Sequence, residues 1–128
     1  MIISESSQEQ YLTQLSNGAA GITADTVRAK DGSEYFGPHD LLCAGFATCL
    51  NITVRMVLER RGLAYEKVIV KVDVDRSQED STIFLYDVDV IGDMDADAKE
   101  AAIAKASNCP VRKTLSKNIS FRPMGKAE

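Results

Sequence analysis

The chain contains few of the residues that hold metals or build disulfide scaffolds. Its 128 residues include three cysteines, one histidine and no tryptophan. Three is an odd number, and no two of these cysteines form a C-x-x-C pair, so the pattern indicates neither a disulfide framework nor a zinc ribbon. A single histidine, His39, does not supply a histidine-rich metal centre. We therefore expect no metal site and no cofactor.

An excess of positive charge and a long apolar run are also absent. The formal net charge is -4 at pH 7, whereas phosphate binding needs clustered lysine and arginine. The longest apolar run without a charge, residues 41–54, is shorter than the ~18 residues of a membrane span. The first ten residues lack the basic and apolar regions of a signal peptide. We expect no nucleic-acid partner, no membrane association and a cytoplasmic location.

A chain of this length suits a single domain, residues 1–128, with a modest core. Within residues 1–36 we predict a β hairpin, with strands over residues 9–16 and 20–27 joined by a tight turn at Asn17-Gly18. A central helix is predicted within residues 37–62, because Pro38 suits the first helical position and Gly62 suits the residue after its end. Its first half is apolar on nearly all sides, which a small domain can hardly cover, so we predict a homodimer.

Residues 63–128 are predicted to supply a second hairpin, two helices and a final strand. Residues 67–75 and 83–91 alternate apolar and polar side chains as half-buried strands do. Asp95 suits the cap of a helix that ends near Asn108, and Cys109-Pro110 suits the start of a short one. A last strand is predicted over residues 119–121. Because no regular βαβ alternation is present, this order favours an α+β fold with an antiparallel sheet.

The cysteines have different local environments in the sequence. Cys49 has no cation or helix start nearby along the chain, so its residue type and surroundings favour simple packing. Cys109 is better placed to ionise, since it precedes a helix and Arg112 lies one turn away. Cys43 lies about 240° round the helix from Cys49 and is interpreted as core. Arg28, Arg55 and Arg112 are candidate partners for a thiolate, although arginines are solvated by default.

Two segments, GPHDLLCAGFATCLNITVRMVLERRGL and SNCPVRKTL, resemble the OsmC/Ohr family of thiol-dependent hydroperoxide reductases. The shared pattern is a helix that starts at a proline and carries a cysteine eleven residues later, followed sixty residues on by Cys-Pro. The resemblance covers residues 37–115. It implies an intertwined homodimer with an active site at each subunit interface.

The resemblance also implies roles for two residues. Cys49 matches the peroxidatic cysteine that attacks the O–O bond, and Cys109 matches the resolving cysteine. The sulfenic acid on Cys49 would condense with Cys109 to a disulfide, which a dithiol reductant such as a dihydrolipoyl protein then reduces.

The chain departs from the family pattern beside the helix start. Members active on organic hydroperoxides have a glutamate after the proline, which holds an arginine of the N-terminal hairpin against the thiolate. Here His39 and Asp40 follow the proline, and the hairpin turn is Asn17-Gly18. We therefore take His39, Asp40, Arg28 and Arg112 as candidate supporting residues. Two functions follow: reduction of organic or fatty hydroperoxides, or non-catalytic binding of a hydrophobic small molecule at the dimer interface.

Overall fold

A long helix, α1 (Pro38–Arg60), crosses the computed structural model, which describes residues 1–26 and 34–125. Pro38 occupies its first position, and the Asp40 carboxylate accepts a hydrogen bond of 2.8 Å from the Gly37 N–H. The helix ends where Gly62 adopts φ +68°, a conformation that costs glycine little. The predicted central helix is therefore confirmed.

The N-terminal part is a three-stranded antiparallel sheet rather than a single hairpin. Its strands are β1 (Ile3–Ser6), β2 (Thr13–Ser16) and β3 (Gly21–Ala24), in that order across the sheet. The predicted turn is confirmed, with the Asn17 side chain accepting the Ala19 and Ala20 N–H groups at 2.9 and 2.7 Å.

The predicted start of the first hairpin strand at residue 9 is wrong. The Leu12 N–H closes a turn on the Glu9 carbonyl, and Tyr11 adopts φ +67°. β1 was not predicted, because its four residues are all exposed and give no alternation of buried and exposed positions. Residue 27, the predicted end of the second strand, lies outside the described residues.

The second hairpin and the later helices agree with the sequence pattern. β4 (Lys67–Asp75) and β5 (Ile83–Ile91) pair antiparallel along their whole length. α2 (Ala96–Ala106) is capped by the Asp95 side chain, which accepts the Ala98 N–H at 2.7 Å, and α3 (Pro110–Leu115) begins directly after Cys109.

The predicted final strand is wrong for the single chain. Residues 118–123 lie outside both sheets, and the side chains of Ile119 and Phe121 are 58% and 94% exposed. A strand needs a neighbour to pair its backbone, and the described part of this chain presents none to this segment.

The core lies between one face of α1, the inner face of the second hairpin and the two shorter helices. The buried residues are Phe46, Leu50, Val54, Val57, Leu58, Val90, Ala102, Ala106 and Cys109. Complete burial of a leucine such as Leu50 contributes about 1.5–3 kcal/mol. The core therefore fixes the middle of α1 against the start of α3.

The expectation that α1 is covered on nearly all sides does not hold within one chain. Leu42, Ile52 and Met56 are 49%, 44% and 47% exposed on the helix face turned away from the core. In the described part of the chain, α1 is also the one helix long and apolar enough to cross a membrane. Core helices of soluble proteins meet the same criterion, so this length and composition are weak grounds for a span.

Candidate active site

Cys49 and Cys109 lie together where α1 meets the start of α3. The Val111 N–H donates a hydrogen bond to the Cys49 sulfur at 3.4 Å, across 62 positions of sequence. The Cys49 thiol also lies near enough to Cys109 to contribute to the raised pKa of the Cys109 thiol. Both thiols are free. The structure thus brings together the two residues that the sequence motif singles out.

Burial raises the pKa of the Cys109 thiol. The backbone N–H of Arg112 opposes this shift, Cys49 adds to it, and the Val111 N–H again opposes it, with a raised pKa as the outcome. The Cys109 side chain is completely buried. Cys109 is therefore held as the neutral thiol near neutral pH.

This arrangement reverses the local interpretation of the two cysteines. Sequence position favoured Cys109 as the easier thiolate, but the core encloses it and penalises the charged form. Cys49 had no donor within its own helix, yet it receives one from Val111. Cys49 is also only partly buried, whereas Cys109 is fully buried, so of the two residues only Cys49 has surface that a reactant can reach.

The guanidinium of Arg112, a candidate supporting residue, contacts groups other than the sulfurs. Its Nη1 donates to the Tyr86 hydroxyl at 3.0 Å and to the Ser107 carbonyl at 3.2 Å. The guanidinium carbon lies 5.5 Å from the centre of the Tyr86 ring, which is within the range of a cation–π contact. Arg112 therefore joins α3 to β5.

A mostly apolar cavity of about 370 Å³ lies next to this arginine. Its lining residues are Phe46, Thr82, Phe84, Tyr86, Arg112, Leu115, Ser116 and Ile119. The Phe46 ring meets those of Phe84 and Tyr86 edge-on, with centres 6.1 and 5.6 Å apart. Phe46 lies one turn before Cys49, and Arg112 directly follows Val111, so two lining residues are sequence neighbours of the site, although neither Cys49 nor Cys109 lines the cavity.

His39 and Asp40 lie elsewhere, in a groove of about 480 Å³ between α1 and β4 that Cys43 also lines. Asp40 is nine residues before Cys49, which places it about 180° round the helix. Its carboxylate caps the helix instead. Burial raises the pKa of the Cys43 thiol, as do the nearby carboxylates of Asp73 and Asp40. Cys43, interpreted as core, is only partly buried.

The other two candidate thiolate partners, Arg28 and Arg55, are not seen beside the sulfurs within the described residues. Arg28 lies outside them. The Arg55 Nε donates to the Asn51 side chain at 2.9 Å, and Asn51 in turn donates to the Val68 carbonyl at 3.0 Å, which anchors α1 on β4. Across residues 1–26 and 34–125, no three acidic, cysteine or histidine side chains are grouped to hold a metal ion.

Sequence reasoning missed two components of the site. The Val111 N–H carries no signal in a side-chain pattern, because every residue except proline has this group. Tyr86 lies in the alternating pattern of β5, where an aromatic residue also suits an ordinary strand. Their roles depend on which elements pack together.

The family model for OsmC-like protein matches residues 30–123 of the chain. Among solved structures, an OsmC-like protein from Mycoplasma pneumoniae is 20% identical, with a TM-score of 0.76 over 90% of this chain and 85% of that one. The organic hydroperoxide resistance protein OhrB of Bacillus subtilis is 16% identical, with a TM-score of 0.65 over 92% and 90%. An organic hydroperoxide resistance protein OsmC from Legionella pneumophila is 18% identical, with a TM-score of 0.62 over 92% and 90%. Among curated protein sequences, none matches significantly.

Proposed function

This chain belongs to the OsmC-like protein family, and from that premise we propose that it is a thiol peroxidase that reduces organic hydroperoxides through Cys49 and Cys109. The observation that carries the proposal is the contact of a partly buried Cys49 sulfur with the Val111 N–H, beside the buried Cys109 thiol. Similar folds in proteins of organic hydroperoxide resistance support it.

The first step is attack of the Cys49 thiolate on the outer oxygen of the hydroperoxide. The O–O bond breaks, the alkoxide leaves and takes a proton to become the alcohol, and Cys49 becomes a sulfenic acid. The Val111 N–H favours this step because a hydrogen bond to a charged acceptor is stronger than one to a neutral acceptor. The peroxide is reduced by two electrons and Cys49 is oxidised by two.

The second step joins the two sulfurs. Cys109 loses its proton, attacks the Cys49 sulfur and displaces hydroxide, which is released as water, and a disulfide forms. The influence of the Cys49 thiol on the raised pKa of Cys109 supports this pairing. A dithiol such as a dihydrolipoyl protein then supplies two electrons and two protons by thiol–disulfide exchange. A reducing cytoplasm suits this cycle.

We further propose that the working unit is a homodimer. The exposed apolar side chains of α1, Leu42, Ile52 and Met56, form a stripe that a second copy would cover. The exposed Ile119 and Phe121 lack a strand partner within the described chain, and a partner subunit would provide one. An intertwined arrangement satisfies both surfaces at once.

Single-turnover and steady-state measurements with cumene hydroperoxide test the peroxidase. Cys49→Ser should abolish turnover, because serine does not form a sulfenic acid. Cys109→Ser should release about one equivalent of alcohol per site and then stall. Cys43→Ser is the matched control, since it removes a thiol from another face of the same helix and should retain turnover. A wild-type protein that is inert with every dithiol reductant would remove the proposal.

A binding protein without redox activity is the second candidate. It is favoured by the place of His39 and Asp40, which line a different groove and do not build a cation clamp at the sulfurs. In this case the apolar cavity holds a small molecule and the thiols only line the region nearby. Native mass spectrometry would detect a co-purified ligand, and iodoacetamide would alkylate Cys49 no faster than Cys43.

A further inference from the structure

The cavity next to Arg112 contains one charged group in a mostly apolar wall. Phe46, Phe84, Leu115 and Ile119 supply apolar surface, while Arg112 is partly buried at its edge. A volume of about 370 Å³ is within the range of small-molecule sites. Such sites usually combine apolar walls with a few polar groups that set the ligand's orientation.

The Arg112 guanidinium keeps donors on Nε and Nη2, the edge of the group that suits a carboxylate. Both recorded hydrogen bonds use Nη1, which is directed to Tyr86 and Ser107. A guanidinium has five N–H donors, so Nε and Nη2 keep three. Within residues 1–26 and 34–125, no carboxylate forms an ion pair with Arg112 and no acceptor takes these three donors.

The contacts of Nη1 also restrict how the guanidinium plane is oriented. The contact with the Tyr86 ring and the two hydrogen bonds hold one side of the group against the protein. A planar guanidinium held in this way is prepared for two parallel hydrogen bonds to one carboxylate. The net charge of -4 gives no general attraction for anions, so anion recognition here depends on this local cation.

We propose that Arg112, oriented by Tyr86, recognises the carboxylate of an amphipathic ligand whose apolar part fills the adjoining cavity. This inference rests on the proposed function where it names the substrate: the preferred hydroperoxide then bears a carboxylate. The same chemistry also describes a fatty acid that binds without reacting. Arg112 is thus a residue that determines specificity, separate from the chemistry of the sulfurs.

Calorimetric titration of the reduced protein with decanoate and with neutral decanamide tests the recognition without peroxidase turnover. The wild type should bind decanoate roughly 10- to 100-fold more tightly than decanamide, as expected for hydrogen bonds to a charged group. Arg112→Gln should bring the two affinities close together, and Arg112→Lys should give an intermediate ratio. Arg76→Gln is the matched control, because it makes the same charge change at an exposed turn and should keep the wild-type ratio.

Equal affinity of the wild type for the acid and the amide would overturn the proposal, as would an unchanged ratio in Arg112→Gln. The wild-type comparison needs no variant, so it decides the matter even if Arg112→Gln does not fold. Higher salt should weaken decanoate binding and leave decanamide binding nearly constant.

Peroxidase assays with a fatty acid hydroperoxide and its methyl ester separate the two ligand sources. If the substrate carries the carboxylate, the wild type should show a larger kcat/KM for the free acid than for the ester. In Arg112→Gln the kcat/KM for the free acid should fall toward that for the ester. Turnover of neither compound together with tight decanoate binding would refute the peroxidase and support recognition of a non-reacting acid. Equal turnover of both with no preference for decanoate would support the peroxidase and refute the role of Arg112.

Discussion

The contact between the Val111 N–H and the Cys49 sulfur can be removed by changing a single backbone group. Replacing Val111 by its α-hydroxy acid changes this N–H to an ester oxygen and keeps the side chain. Val111 is the second residue of α3, so its N–H has no acceptor within the helix. The exchange therefore removes the donor to the Cys49 sulfur, and its weaker effect on Cys109, without breaking a helical hydrogen bond.

The size of the expected effect follows from the charge on the acceptor. A hydrogen bond to a charged group contributes about 1.5–3 kcal/mol, so loss of the donor removes that much stabilisation from the charged Cys49 sulfur. A less stabilised sulfur is also more nucleophilic, with a Brønsted slope of about 0.4–0.5, which offsets nearly half of the loss. The rate of Cys49 oxidation should fall about 4- to 15-fold.

Stopped-flow oxidation of the reduced protein with an alkyl hydroperoxide, below saturation, measures this rate. The control is the same ester exchange at Ala96, the first residue of α2, which should leave the rate unchanged. Thermal unfolding of both esters separates a local effect from loss of structure. An unchanged rate in the folded Val111 ester would refute the view that this N–H activates Cys49.

Two further predictions concern stability and assembly. Burial raises the pKa of Cys109 in the folded protein. The buried neutral thiol should therefore stabilise the fold fully below the ordinary thiol pKa of about 8.5, and this stabilisation should be lost as the pH rises through the raised pKa. In urea unfolding under reducing conditions, the wild type should lose stability more steeply than Cys109→Ala above that pH, and equal slopes would contradict this. Ile52→Asp places a charge in the exposed stripe of α1 and should convert a dimer to monomers in analytical ultracentrifugation, whereas the surface control Glu100→Lys should not. A dimer that persists in Ile52→Asp would exclude this stripe as the interface.

The elements that the sequence predicted well are those whose signals are local. Pro38 and Gly62 mark the ends of α1, Asp95 caps α2, and alternating valines mark β4. Each signal acts through backbone conformation or a hydrogen bond within a few residues. The hairpin turn at Asn17-Gly18 belongs to the same class.

The elements that were predicted wrongly depend on partners distant in the sequence. β1 is exposed along its length and is defined only by its pairing with β2. The segment over residues 119–121 has the composition of a strand but no sheet to join within one chain. Strand formation requires a neighbouring backbone, which a local pattern does not specify.

The candidate site shows the same division. The resemblance of the sequence to the family singled out two cysteines, through the spacing of the proline, Cys49 and Cys109, and the sequence by itself placed Cys49 within a long apolar helix. Only the tertiary structure decided their environments, because the burial of Cys109, the N–H that reaches Cys49 and the unused donors of Arg112 arise where α3 packs against α1 and β5. Ionisation and hydrogen bonding depend on surroundings in space, and packing brings those surroundings from distant parts of the chain.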